Sequence, residues 1–433
     1  MIKSTILGVT LASLLISGQA GAVELPDPAS VRTDRLQLMQ GFPPAADKQI
    51  TQASFMRPYP NPRWSFHHAR EFFPSRRVAR GNEGVYVLPR AEGQEQRIAG
   101  LTFTGPEGRE MTFQQYLDET YVDGVLIMQH GKVLFEQYQP GVDESEPHIL
   151  WSVTKSVVGL LATQLIAEGA LDPEALVTSY VPELAESGWK GATVQQVLNM
   201  TADIDYSEVY ADRNSDVVKY SLAAGMAPAP QDYAGARDLY SYLPTIGAGP
   251  DEHGVAFRYR TTHTEVLGWI LRRVTGLSTA ALIEQRIWSK LGAEQDGYML
   301  LDAKGAEWAG AGFNVTLRDL ARFAEMVRLE GKFNGHQVVS PEVIRTIREG
   351  ADREAFKAAG RDYQPGYSYR NQWWISHNPD GAFEAMGVHG QMIHINPAVG
   401  LVMVRLSSHP IASSGQTMPY TIPAMAALAD LLR

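Results

Sequence analysis

The sequence predicts an α/β fold in which one sheet is assembled from both ends of the chain and a mostly helical subdomain is inserted between them. Three observations lead there. Apolar runs with strand character stand at 125–138 and again at 391–406. Between them, residues 170–300 read mostly as helix and loop. A long uncharged helix follows the first pair of strands directly.

The 433 residues are 44% hydrophobic, enough to bury a large core. Residues 1–22 read as a secretory signal: Lys3 is the positive end, Ile6 to Ile16 the apolar stretch, and Ala20-Gly21-Ala22 the cleavage site. That stretch is too short for a good membrane span. The expectation is an exported protein, periplasmic or secreted, with no stable membrane insertion after cleavage. The chain has no cysteine, which excludes disulfides, thiolate nucleophiles and cysteine-ligated zinc. Loss of Lys3 takes the formal charge from −10 to −11, and this acidity argues against nucleic acid and anionic membranes as partners.

Residues 23–110 are rich in Pro and Arg and predict an irregular arm wrapped on the main body, which spans 111–433. His67-His68 finds no carboxylate or further His at ligand spacing, so a structural role is expected there. No metal site and no cofactor are expected elsewhere, and the eleven histidines form no metal-binding pattern.

From Gly124 the pattern sharpens. Val125 to Met128 reads as a buried strand, Gln129 to Lys132 as a turn, and Val133 to Tyr138 as the returning strand. The helix after Trp151-Ser152-Val153-Thr154-Lys155 has no charge from Ser156 to Ala167, and Gly169 marks its stop. A helix this apolar is buried, so a lone lysine in its first turn has a lowered pKa. An amine neutral near pH 7 can take a proton from the Ser152 hydroxyl one turn away. The second Ser-x-x-Lys, Ser187-Gly188-Trp189-Lys190, lies in a polar stretch with a glycine and predicts a solvated loop without chemistry.

A serine–lysine pair needs a further proton carrier. Tyr259, directly before a helix over 262–275 with a Thr262/Glu265 capping box, is the candidate, although any of 18 tyrosines can simply pack. An oxyanion hole would use the Ser152 N–H at its helix N-terminus and a donor from Gly387-Val388-His389-Gly390-Gln391. Strands over Gln391 to Ile395 and Leu401 to Leu406, parted by Asn396-Pro397, and a final helix starting at Pro423 complete the chain. There is no Gly-x-Ser-x-Gly elbow, His-Glu-x-x-His or phosphate-binding glycine loop.

Taken in order, Leu150 to Ser156, Tyr206 to Tyr210, Tyr259 to Gly268, Gly312 to Phe323, Gln372 to Trp374 and Gly390-Gln391 resemble the penicillin-recognising serine hydrolases, above all the 6-aminohexanoate-dimer hydrolase branch. The resemblance implies a β-lactamase/transpeptidase-like antiparallel sheet flanked by helices. It also implies cleavage of a small ester or amide through an acyl-enzyme. By it, Ser152 is the nucleophile, Lys155 relays the proton, Tyr259 serves as base and then acid, and Gln391 N–H joins Ser152 N–H in the oxyanion hole. Tyr210, Thr261, His263, His389 and Gly390 would line the substrate site. Two departures stand out: the Tyr-x-Asn motif ends in Thr261, and Lys-Thr-Gly is replaced by Val388-His389-Gly390. Val388 cannot pair with a β-lactam carboxylate. A DD-peptidase or weak β-lactamase, and a non-catalytic binding protein of the same fold, remain the alternative readings. Oligomeric state is not read from the sequence.

Overall fold

The computed structural model describes residues 25–433, so the signal segment expected at 1–22 lies outside the described residues. Its centre is a seven-stranded antiparallel sheet. Two strands come from the first third of the chain, β1 (Val122–Gln129) and β2 (Lys132–Tyr138). Five come from the last: β3 (Ser368–Arg370), β4 (Trp373–Ile375), β5 (Phe383–Met386), β6 (Met392–Asn396) and β7 (Leu401–Ser407). The order β3-β4-β5-β6-β7-β1-β2 pairs β7 with β1, closing the two ends of the chain on each other. This is the sheet that the sequence predicts.

Side-chain alternation divides the sheet into two packed faces. Leu126, Met128, Ile393, Ile395, Val402 and Val404 join one core, and Val125, Ile127, Met392, Leu401 and Met403 join the other. The first core is covered by α1 (Val153–Ala167) and α3 (Leu317–Arg328), and it continues into the helices of 177–291, including α2 (Thr261–Thr275). The second is covered by α4 (Met418–Leu432). The β1–β2 hairpin turns through His130 and Gly131, both at positive φ (47° and 81°), the twist that a two-residue hairpin requires.

The N-terminal segment holds more regular structure than its composition suggests. Ser75–Val78 pairs with Gly297–Leu300 in a four-stranded sheet that also includes Phe313–Val315 and His148–Ile149. Phe55, Phe66, Phe73 and Val78 are buried in the first core, which gives the segment its anchor.

Three local expectations are corrected. Helix α4 begins at Met418, one turn before the expected Pro423. Pro423 inside it forfeits only the hydrogen bond to the Pro419 carbonyl. Ser187 and Trp189 are buried, and in that loop only Lys190 is strongly exposed, because Trp189 Nε1 donates to His263 Nδ1 at 3.0 Å. The Thr262/Glu265 box does not form: α2 starts at Thr261 without a side-chain cap, and Glu265 turns into the core.

Candidate active site

Ser152 stands at the N-terminus of α1, after Trp151 at φ 47° and after Leu150, whose N–H is held by the Phe313 carbonyl. One turn on, Lys155 Nζ donates to Ser152 Oγ at 2.8 Å and to the Gly310 carbonyl at 2.6 Å. Lys155 is 1% exposed. Burial pulls its ammonium down to about 8, against the opposing pull of the Glu208 and Glu265 carboxylates. The lowered pKa expected from the apolar helix is therefore present, and its cause is the expected one.

Tyr259 reaches the same point from the segment before α2. It shares the cleft wall with Ser152, and Lys155 Nζ lies 5.2 Å from its ring centroid. The ring stacks on Trp374 at 5.6 Å, and the Arg361 guanidinium lies over both aromatics. Burial, with the Glu208 charge adding to it, raises the phenol pKa above its ordinary value. Tyr259 is thus a neutral O–H donor at rest.

Ser152 and Tyr259 open onto a cleft of about 330 Å³, lined also by Glu208, Tyr210, Arg361, Trp374 and Val388, while Lys155 stays buried behind them. A cleft of similar size, about 340 Å³, opens between β6 and α4, but its lining holds neither serine nor lysine. Among the described residues, neither the Ser152 N–H nor the Gln391 N–H is taken by an acceptor. Gln391 is locked through its side chain, which donates to the Ser407 carbonyl and accepts the Ser407 N–H.

The expected binding residues divide. Tyr210 lines the cleft, its hydroxyl donating to Glu208 at 2.6 Å. Thr261 does not line it. Its N–H and hydroxyl both donate to Glu208 at 2.6 Å, so it fixes that carboxylate from behind. His263 is fully buried against Trp189, and burial drives its pKa down to about 3. His389 turns away: its Nδ1 meets the His409 carbonyl at 2.6 Å, its ring packs on Phe66, and burial lowers its pKa to about 4. Gly390 lies under Ser407, where its backbone at φ 97° receives Arg405 on its carbonyl. His263, His389 and Gly390 therefore do not line the cleft.

Glu208, Arg361 and Trp374 were not singled out by the sequence. Glu208 and Trp374 lie in the stretches Tyr206 to Tyr210 and Gln372 to Trp374 that carry the resemblance, whereas Arg361 has no local signal. A further correction concerns His67. Its ring meets His148 at 4.6 Å, and the two imidazoles and Asp123 gather in one buried group that linear spacing concealed. The Asp123 charge there is matched by Arg63, at 2.7 Å, with Ser408 adding a hydrogen bond. The group is thus held together by a guanidinium–carboxylate pair.

Comparison with known proteins agrees with this fold. The Beta-lactamase family model matches residues 110–423. The 6-aminohexanoate-dimer hydrolase of Paenarthrobacter ureafaciens is 35% identical over 370 residues, 85% of this chain and 91% of that enzyme. Esterase EstB of Burkholderia gladioli is 26% identical over 206 residues, covering 44% of this chain and 50% of that one. A solved Bacillus anthracis structure, provisionally given the name 6-aminohexanoate-dimer hydrolase, superposes with a TM-score of 0.81 at 30% identity over 90% of this chain and 98% of its own. The sheet closed from both chain ends, the buried Ser152–Lys155 pair and these matches converge: the chain belongs to the Beta-lactamase family and is a serine hydrolase.

Proposed function

We propose that this chain is an exported amidase or esterase that cleaves a small substrate through an acyl-enzyme on Ser152, with Lys155 and Tyr259 moving the protons. The observation that carries the reading is the 2.8 Å contact between Ser152 Oγ and a buried lysine held near pKa 8. At pH 7 roughly a tenth of such lysines are neutral, and that fraction can accept the serine proton.

In the first half-reaction Oγ attacks the substrate carbonyl carbon and its proton passes to Lys155. The oxyanion sits between the N–H groups of Ser152 and Gln391. Tyr259 gives its proton to the departing amine or alkoxide and regains one from Lys155. Water then attacks the acyl carbon, its proton moving to the same pair, and Ser152 leaves as the hydroxyl. Amide and ester substrates are both supported, since the relatives named above are an amide-dimer hydrolase and an esterase. Val388 and the buried, neutral His389 supply no cation for a β-lactam carboxylate. Export rests on the 1–22 segment alone.

The test is hydrolysis of p-nitrophenyl butyrate by the protein from Val23 beside Ser152→Ala, followed by a panel of esters, short amide oligomers and penicillins. Turnover lost in the variant supports the reading; equal turnover in both removes Ser152 as nucleophile.

A further inference from the structure

Glu265 is a buried carboxylate in the core beside the site, and the proton-transfer scheme gives it no task. It is 2% exposed and sits one turn into α2. Its two oxygens divide their work. Oε2 accepts the Ala309 N–H at 2.9 Å. Oε1 accepts the Gly310 N–H at 2.9 Å and the Tyr220 hydroxyl at 2.7 Å. The carboxylate thus grips both amides of one short turn. That turn offers the carbonyl of Gly310 to Lys155 Nζ at 2.6 Å. The fit is close: a Cβ on Gly310 would stand 2.9 Å from Glu265 Oε1 and 2.7 Å from Thr261 Cγ2.

We propose that Glu265 is a positioning residue for Lys155, clamping the 309–310 turn so that the Gly310 carbonyl aims the amine at Ser152. This rests on Lys155 being the proton acceptor. The carboxylate also acts through its charge, which favours the lysine cation. Glu265 is itself surrounded by few titratable groups. Lys155 faces it from α1 and Tyr220 from the helix Asp216–Ala223, while Tyr240 and Glu208 stand farther off. The 309–310 turn contributes dipoles only. Burial raises Glu265 to about 7, against the hydrogen bonds from Tyr220 and Gly310 and the charge of Lys155. Glu265 and Lys155 therefore titrate as a linked pair next to the nucleophile.

Glu265→Gln is the direct test, because an amide offers one acceptor oxygen and must turn its NH2 toward one of the two N–H donors. With an ester substrate we expect kcat to fall about 10- to 100-fold, as misplacement of a reacting group does, with KM changed less than about threefold. The rising limb of the kcat–pH profile should move to lower pH, since a lysine without its neighbouring anion loses its proton more easily. Glu265→Asp, which keeps the charge and both acceptor oxygens, should return the limb toward its original position. Tyr220→Phe, a milder change that removes one hydrogen bond from Glu265, should shift the limb the same way by less and serves if Glu265→Gln does not fold. A Glu265→Gln enzyme with the parent kcat and limb overturns the proposal. So does a fall in kcat that leaves the limb in place and lowers Tm, which marks a purely structural residue. Lys155→Ala, run alongside, separates the two claims: activity there removes the proton-acceptor reading itself, whatever Glu265 does.

Discussion

Lys155 Nζ stands 2.8 Å from Ser152 Oγ, and its other hydrogen bond goes to the Gly310 carbonyl. Among the described residues no carboxylate touches this buried ammonium. A lysine so placed is kept short of charge compensation, and the adjacent hydroxyl is where its proton affinity is used.

Lys155→Ala should lower kcat by about 10² to 10⁴, the usual worth of a positioned acid–base group. Stability should hold or rise, because the substitution removes a buried charge without an ion-pair partner. Kinetics and a thermal melt on the same preparation check both halves.

The pH dependence follows from the same group. The amine acts when neutral, so kcat should rise with pH through a limb near 8. Stability has its own signature. The folded value near 8 lies below the ordinary 10.5, so between these the unfolded chain binds more protons. This lysine therefore makes the fold gain stability as pH rises from 8 to 10.5, and below 8 its cost is constant. Urea unfolding of the parent and of Lys155→Ala across that window should give a difference that shrinks toward pH 10.5.

Tyr259→Phe keeps the stack on Trp374 and removes only the hydroxyl. If the tyrosine delivers the proton to the leaving group, an amide with a poor leaving amine should lose about 10² or more in kcat. A p-nitrophenyl ester, whose leaving group needs no proton, should lose far less. Equal losses on both substrates would place the tyrosine elsewhere in the reaction.

Gly159 sits inside α1, where alanine is ordinarily better by about 1 kcal/mol. Here a Cβ would come within 2.2 Å of the Asn371 carbonyl oxygen. Gly159→Ala should therefore destabilise by roughly 1–3 kcal/mol, the cost of overpacking. Denaturant melts check the sign.

Arg63 donates to the carbonyls of Val31 and Tyr121 and to Asp123, all buried. Arg63→Ala leaves Asp123 uncompensated and should cost about 3–5 kcal/mol. Chemical denaturation measures the loss, and Asp123→Asn in the same background should recover part of it.

Strand patterns at both ends of the chain made the shared sheet legible in the sequence, and within the site the legible part was local. Ser152 and Lys155 share one helical turn, so their contact follows from spacing, and the hairpin 122–138 follows from alternation around His130-Gly131. What it hid depends on which way a side chain turns in three dimensions. His263 and His389 stand within a few residues of Tyr259 and Gln391, yet both rings point into the core, toward Trp189 and Phe66. Glu265 has the spacing of a cap but meets a turn 44 residues later. His67, Asp123 and His148 come together only because the N-terminal segment packs beside β1 and the strand His148–Ile149. Such partners are set by long-range packing, which no local pattern encodes.

The most direct measurement is intact-mass analysis of the protein quenched during turnover of p-nitrophenyl butyrate, with peptide mapping of the labelled species. A gain of one butyryl group on Ser152, absent from Ser152→Ala, is the result expected for an acyl-enzyme. Steady turnover with the label on another residue, or undiminished turnover by Ser152→Ala, would contradict it.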